Sequence, residues 1–205
     1  MTLTTWLTVV TICALGAMSP GPSLALVLRQ TVSGGRRNGM TAAVTHGLGI
    51  GLYAFLSIMG LAAIIIASPL LFTGLQWLGA AYLAWLGVRG LMAKRSQHDE
   101  LPEVPTTTSA ARDGFMLAFL NPKVAVFFIA LFSQVVGPET PTLAKLGYAA
   151  TAMVIDTVWY LTVAWLFSNR RLLGGLQRNV VWLERFFGVL LIALAGRLAV
   201  GILKA

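Results

Sequence analysis

Charged residues are scarce in this chain: only 11% of its 205 residues are Asp, Glu, Lys or Arg, whereas 57% are hydrophobic. The mean hydropathy is accordingly high, at +0.80. A soluble domain of this length could not bury so much apolar surface and still cover itself with polar groups. Several apolar runs reach the roughly 20 residues that cross a hydrocarbon core. The composition therefore excludes a soluble domain and indicates a protein that spans a lipid bilayer.

Cysteine is almost absent as well. Cys13 is the only one, so no internal disulfide can form, and its place in the first apolar run favours a packing role. The sequence also contains no cluster of metal ligands, no glycine-rich phosphate loop and no plausible nucleophile–base pair. We therefore expect no cofactor and no enzymatic activity.

Acidic residues are the third shortage: seven of them face fifteen Lys and Arg, for a net charge of +8. Such a balance is typical of nucleic-acid-binding proteins. Here, however, the basic residues lie between apolar runs and form no stripe on a soluble face. The sequence therefore predicts no nucleic-acid partner.

Six apolar runs predict an all-α membrane protein with six transmembrane helices. They cover about residues 3–28, 40–67, 70–92, 115–136, 146–167 and 180–203. The first run is too long for a signal peptide and lacks its basic start, so we interpret it as a retained helix. A polar stretch at 93–113 predicts a cytoplasmic linker. The single transmembrane domain, 1–205, thus divides into three-helix repeats at 3–92 and 114–205.

The loop charges predict how the helices are oriented. Eleven Lys and Arg lie in or beside the loops after the first, third and fifth helices, and only two on the other side. The positive-inside rule puts the eleven in the cytoplasm and both termini in the periplasm of a bacterial inner membrane. With three helices each, the two repeats must be inverted relative to one another. Pro20 and Pro122 interrupt the first helix of each repeat, although the sequence leaves the depth of these breaks open.

A proline-rich break in the first helix is the clearest chemical feature. It consists of Ser19, Pro20, Gly21 and Pro22. Proline inside a helix removes a backbone hydrogen bond, and in lipid the freed groups find partners only in a protein interior or beside a watery cavity. Transporters bind solutes at such breaks, where half-helix ends present N–H and C=O groups. We interpret the motif as part of a substrate site; a simple kink, or a loop that ends a short helix, is the alternative.

A second break, in the fourth helix, is formed by Asn121, Pro122 and Lys123. Asn121 offers both donors and an acceptor, and Lys123 offers a positive charge. We expect these side chains to line the same substrate site. The alternative for Lys123 is that its ammonium group snorkels to the cytoplasmic interface.

Two ionisable side chains lie inside apolar runs. An ionised carboxylate at a helix centre costs about 2.5–3.5 kcal/mol on insertion scales, so Asp156 suits a group that binds and releases a proton or a cationic amine. Tyr160 follows one turn later, within reach of Asp156, and completes the predicted substrate-binding set. His46, on the second helix, is predicted to carry a proton together with Asp156. Structural hydrogen bonding to a neighbouring helix is the alternative for both.

These motifs resemble those of the LysE/RhtB family of amino-acid exporters. The similarity rests on Ser-Pro-Gly-Pro at 19–22, Asn-Pro-Lys at 121–123, the glycine-rich stretch from Gly47 to Tyr53, and Asp156, and it extends over nearly the whole chain. It implies export of amino acids or close derivatives across the inner membrane, driven by proton antiport. Many members carry an acid in the second helix near Gly51; this chain has none there, and His46 is the nearest ionisable group.

Other interpretations of the sequence stay open. A membrane-embedded enzyme or assembly factor could use the groove between the breaks for another small molecule or a lipid. A channel would give flux without proton coupling. A homo-oligomer is also compatible with the sequence, because small-residue stripes pack helices between chains as readily as within one.

Overall fold

The computed structural model describes residues 3–93, 109–137 and 139–203, and for residues 170–178 it describes the backbone alone. Seven helices and no strand occur in these ranges, as the all-α prediction requires. The helices are α1 (Leu3–Met18), α2 (Pro22–Ala67), α3 (Pro69–Leu91), α4 (Ala110–Leu120), α5 (Pro122–Phe132), α6 (Thr142–Phe167) and α7 (Arg170–Leu203). Most of the predicted linker, residues 94–108, lies outside the described residues.

Four of the described helices are long and apolar enough to cross a bilayer: α2, α3, α6 and the part of α7 from Asn179 to Leu203. The pair α4 and α5, bent by 51° at a one-residue break, would form a fifth span. Helix α1 is apolar but has only 16 residues, fewer than the roughly 20 that cross a bilayer. These helices make the chain a multi-pass membrane protein.

Helix α2 is a hairpin of two helical arms that fold back at Gly35. This glycine has φ +79° and ψ 170°, a left-handed conformation that side chains other than glycine rarely adopt. The hydroxyl oxygen of Ser23 lies 2.9 Å from His46 Nε2, whereas a straight helix would separate these residues by about 35 Å at 1.5 Å per residue. We call residues 22–34 the short arm of α2 and residues 36–67 the long arm. The loop predicted between the first two apolar runs is therefore helical apart from a single glycine.

Several helices begin before the apolar runs that predicted them. Helix α4 begins at Ala110, where the Ser109 side chain accepts a hydrogen bond from the Arg112 N–H and caps the first turn. Helix α7 begins at Arg170, although its apolar run begins near residue 180. Hydropathy marks only the part of a helix that lies in lipid, while caps and backbone hydrogen bonds carry the helix on into polar sequence.

The long arm of α2 is the central helix and packs mainly against α6 and α4, while α3 packs against α7. At the α2–α6 contact a Cβ on Gly47 would clash with Thr157 Oγ1, so the small residue is required there. At the α3–α7 contact, a Cβ on Gly87 or on Gly188 would lie 2.7 Å from the carbonyl oxygen of the other. Both pairs run antiparallel, because rising residue numbers on one helix meet falling numbers on the other.

The described residues form three apolar clusters. One includes Leu83 of α3 and Leu198 of α7, and the other two, called the large and the small cluster, lie on either side of the breaks. The large cluster includes Val9, Ile12 and Ile58 and extends to α5 and α6, whereas the small cluster includes Leu24 and Val163. On α1, on the long arm of α2 and on α6, the large cluster lies nearer the end that shares a side with the α1 N-terminus. The polar residues of both breaks lie between the two clusters.

Candidate functional site

The first break separates α1, which ends at Met18, from α2, which begins at Pro22. Gly21 precedes the first turn of α2 and gives it no side-chain cap, so no capping side chain accepts from the N–H groups at this positive helix end. Lys123 reaches across from the second break: its ammonium nitrogen donates to Ser19 Oγ at 2.9 Å and to the Pro20 carbonyl at 3.3 Å. Lys123 therefore points into the protein and does not snorkel to the interface.

The second break is narrower and is capped by its own side chain. Helix α4 ends at Leu120 and α5 begins at Pro122, with Asn121 between them. The Asn121 side-chain oxygen accepts from the Lys123 N–H at 3.0 Å, while its amide nitrogen donates to Ser23 Oγ at 3.4 Å. The two breaks are thus joined by hydrogen bonds, which gives them a common depth that the sequence could not determine.

Asp156 and His46 form a buried pair between α6 and the long arm of α2. Asp156 Oδ2 lies 2.7 Å from His46 Nδ1, and the two residues are 5% and 1% exposed. His46 Nε2 lies 2.9 Å from Ser23 Oγ. With Nδ1–H donating to the carboxylate, a neutral His46 accepts the Ser23 hydroxyl proton at Nε2, and a charged His46 donates to Ser23. A continuous hydrogen-bonded path thus runs from Asp156 through His46 and Ser23 to Asn121.

Tyr160 lies beside this path but contacts a different group from the one expected. Its hydroxyl donates to the Ala17 carbonyl at 3.2 Å, another acceptor next to the first break. Its ring packs edge-on against the His46 imidazole, with 5.0 Å between centroids. Tyr160 is therefore in the site, where its hydroxyl hydrogen-bonds to a backbone carbonyl at the break and its ring packs against the imidazole.

Ser23 is the functional residue that the sequence analysis missed. It lies directly after the proline motif and nothing but that position distinguishes it, yet it connects Asn121 with His46. Ser23, His46 and Asp156 also have the hydrogen-bond order of a Ser–His–Asp triad, an arrangement that the sequence analysis did not predict. Three residues that distant in sequence show no common spacing, so only folding reveals them.

A cavity of about 60 Å³ lies between the two breaks. It is lined by eight of the ten predicted site residues, namely Ser19, Gly21, Pro22, His46, Asn121, Lys123, Asp156 and Tyr160. Pro20 and Pro122 do not line it and instead shape the chain on either side. This volume holds a few water molecules and is far below the roughly 300–1,000 Å³ of ligand pockets. The two breaks therefore pack closely together in this structure.

Comparison with known proteins identifies relatives along nearly the whole chain. The model of the LysE type translocator family matches residues 14–201. The threonine efflux protein of Escherichia coli K12 is 30% identical over 190 residues, which cover 90% of this chain and 92% of the relative. The leucine efflux protein of Klebsiella pneumoniae is 29% identical over 191 residues, covering 88% and 87%. No solved structure matches the chain.

Proposed function

The chain belongs to the family of LysE type translocators, and from this premise we propose that it exports amino acids or close derivatives across the inner membrane. As a member of a translocator family it is a transporter and not an enzyme. The relatives named threonine and leucine efflux proteins support amino acids as the cargo. The structural observation that carries the proposal is the convergence of both helix breaks, one ammonium group and one carboxyl group on a single cavity.

The cavity offers complementary groups to both ends of an amino acid. In this proposal the substrate carboxylate binds the Lys123 ammonium group and the N–H groups at the start of α2, a helix end that favours an anion. The substrate amine donates hydrogen bonds to the Asp156 carboxylate and to the hydroxyl oxygen of Ser19. Lys123 already donates to Ser19 and Pro20, so in this structure its ammonium group occupies acceptors that the substrate amine would otherwise use.

Proton antiport is the coupling that the buried pair supports. Asp156 and His46 lie in one hydrogen-bonded unit, and each side chain can hold a proton. In the proposed cycle, the substrate amine binds an ionised Asp156 and leaves when the carboxylate takes a proton from the outside. Inward movement of that proton, and its release, returns the site to the form that binds the next substrate. The groups around Asp156 are the imidazole of His46 on α2, Tyr160 on α6 and Cys13 on α1.

We further propose six spans in two inverted repeats. The hairpin at Gly35 makes α1 together with the short arm of α2 a first span, which is broken as the α4–α5 span is. Equivalent helices of the two repeats then meet, since the long arm of α2 packs on α6 and α3 packs on α7. Both contacts are antiparallel, as inverted repeats require. With the basic loops in the cytoplasm, both termini lie in the periplasm.

Counterflow in proteoliposomes tests the function. Vesicles containing the purified protein are preloaded with one unlabelled amino acid at a time and diluted into the same labelled compound. We expect transient accumulation of label for at least one amino acid, absent from protein-free vesicles. If no amino acid is exchanged, the proposed function is wrong. Flux that continues without any exchange partner or pH dependence would instead indicate a channel.

A further inference from the structure

The cavity between the breaks has a polar layer and an apolar layer. The polar layer consists of Ser19, Ser23, His46, Asn121, Lys123 and Asp156. The apolar layer consists of Cys13, Gly16, Ile50, Val124, Phe127 and Phe128. Apart from the glycine, these residues belong to the large apolar cluster or pack against it, as does Ala152, which also lines the cavity. Two further apolar lining residues lie elsewhere: Ala17 beside the first break, and Leu191 of α7, which packs against the cluster between α3 and α7. The cavity therefore changes from polar to apolar in one direction.

That direction is the same on α1, on the long arm of α2 and on α5. Ile50 follows His46 by one helical turn, and Phe127 follows Lys123 by one turn, which is about 6 Å along a helix. Cys13 and Gly16 precede Ser19 on α1. Because α1 and the long arm of α2 run in opposite directions, these positions all lie on the side of the break that faces the α1 N-terminus. A substrate whose charged end sits at the breaks must point its side chain into this apolar layer.

The charged groups of the described cavity lining would pair with the carboxylate and the amine of a zwitterionic amino acid. The described lining carries the ammonium group of Lys123 and the carboxyl group of Asp156, with the imidazole of His46 paired to the latter. A charged substrate side chain would enter the apolar layer, where no described residue carries the opposite charge. Burial of an unpaired charge is costly. We propose, on the basis of the function proposed above, that the substrates are amino acids with uncharged, aliphatic side chains.

Phe127 sets the size of the side chain that fits. Its ring reaches from α5 to α1 and lies against the backbone at Gly16, where an added Cβ would be 2.5 Å from the ring. The ring thus closes the apolar layer from one side, and Gly16 fixes how far it withdraws. Removing the ring enlarges the layer, whereas a methyl group on Gly16 pushes the ring into it.

The test is substrate competition in proteoliposomes, with alanine, valine, leucine, phenylalanine, lysine and glutamate as competitors. We expect the aliphatic amino acids to be exchanged, and lysine and glutamate to compete at least tenfold less well. In Phe127→Ala, competition by phenylalanine relative to valine should rise by about tenfold or more, the usual effect of reshaping an apolar pocket. Phe119→Ala is the matched control, because Phe119 is also partly buried, contacts other aromatic rings and does not line the cavity.

Gly16→Ala should have the opposite effect to Phe127→Ala, because it narrows the apolar layer and retains every side chain of the site. It should shift the preference towards alanine by about tenfold. Cys13, the sole cysteine, supplies a readout that does not depend on transport: leucine should slow its alkylation by N-ethylmaleimide, whereas lysine should not, and Cys13→Ser should remove the signal.

The outcomes separate the two proposals. Exchange of lysine or glutamate as efficient as that of leucine overturns the aliphatic specificity and leaves the exporter function intact. An unchanged size preference in both Phe127→Ala and Gly16→Ala overturns the role of the apolar layer. If no amino acid is exchanged and none protects Cys13, the exporter function itself fails, and the specificity fails with it.

Discussion

At the scale of single residues, Asp156 is the group whose chemistry matters most. It lies 5% exposed between helices, and His46 is the partner of its carboxylate. A buried acid with one basic partner is costly to keep in an apolar interior, and retaining it is easier to explain by proton or amine binding than by stability. The short arm of α2 adds Ser23 to this pair, so a hydrogen bond connects His46 to the residue that directly follows the first break.

Replacement of Asp156 by Asn separates its charge from its shape. Asn has the same size and its side-chain oxygen still accepts from His46 Nδ1–H, so we expect folded protein. Because Asn takes up no proton, efflux driven by a pH gradient in proteoliposomes should be lost. Asp113→Asn is the matched control: Asp113 accepts a hydrogen bond from Gln30 and does not line the cavity. Undiminished pH-driven efflux in Asp156→Asn would rule out the coupling role.

At the scale of the elements, the site depends on how closely the long arm of α2 approaches α6. His46 lies next to Gly47, and Asp156 next to Thr157, so the same contact that brings Gly47 against Thr157 sets the distance in the buried pair. Gly47 and His46 are thus two parts of one helix interface. A change in helix spacing should affect the chemistry of the site even when no site residue is altered.

Gly47→Val tests this dependence. The new side chain would clash with Thr157 Oγ1, and such overpacking costs about 1–3 kcal/mol. We expect a lower thermal unfolding midpoint in detergent and loss of exchange. Gly60→Val, on the same helix arm, is the control, because a Cβ at Gly60 meets no atom within 4 Å and the cost of valine in a helix is the same. Equal behaviour of the two variants would contradict the close-approach argument.

At the scale of the whole molecule, the proposed inverted repeats predict on which side of the membrane each loop and terminus lies. Six spans with basic loops inside require that both termini face the periplasm. A phosphatase reporter, which is active only outside the cytoplasm, should therefore be active when fused after Ala205. The same reporter inserted in the 93–113 linker should be inactive. Activity in the linker and not at the C-terminus would reverse the orientation. Equal activity at both sites would contradict the odd number of spans, three, that the proposal places between them.

The sequence predicted much of the candidate site, because prolines and acidic side chains are rare in helices that lie in lipid. Prolines inside apolar runs at 20 and 122, and a lone buried acid at 156, are expensive in a membrane and therefore stand out against leucine and alanine. Their mutual arrangement was less accessible. The reach of Lys123 to Ser19, the contact of Tyr160 with Ala17 instead of Asp156, and the role of Ser23 depend on helices that are far apart in sequence.

The sequence by itself determined that the chain is helical and spans a membrane, where its helices break, and which polar side chains must be accounted for. These properties follow from local hydropathy and from the backbone bond that each proline removes. Tertiary structure alone decided that both breaks lie at one depth, that α2 folds back at a single glycine, and that the cavity is polar on one side and apolar on the other. Each of these depends on which helix faces which, and that is set by close packing at glycines and by long-range hydrogen bonds.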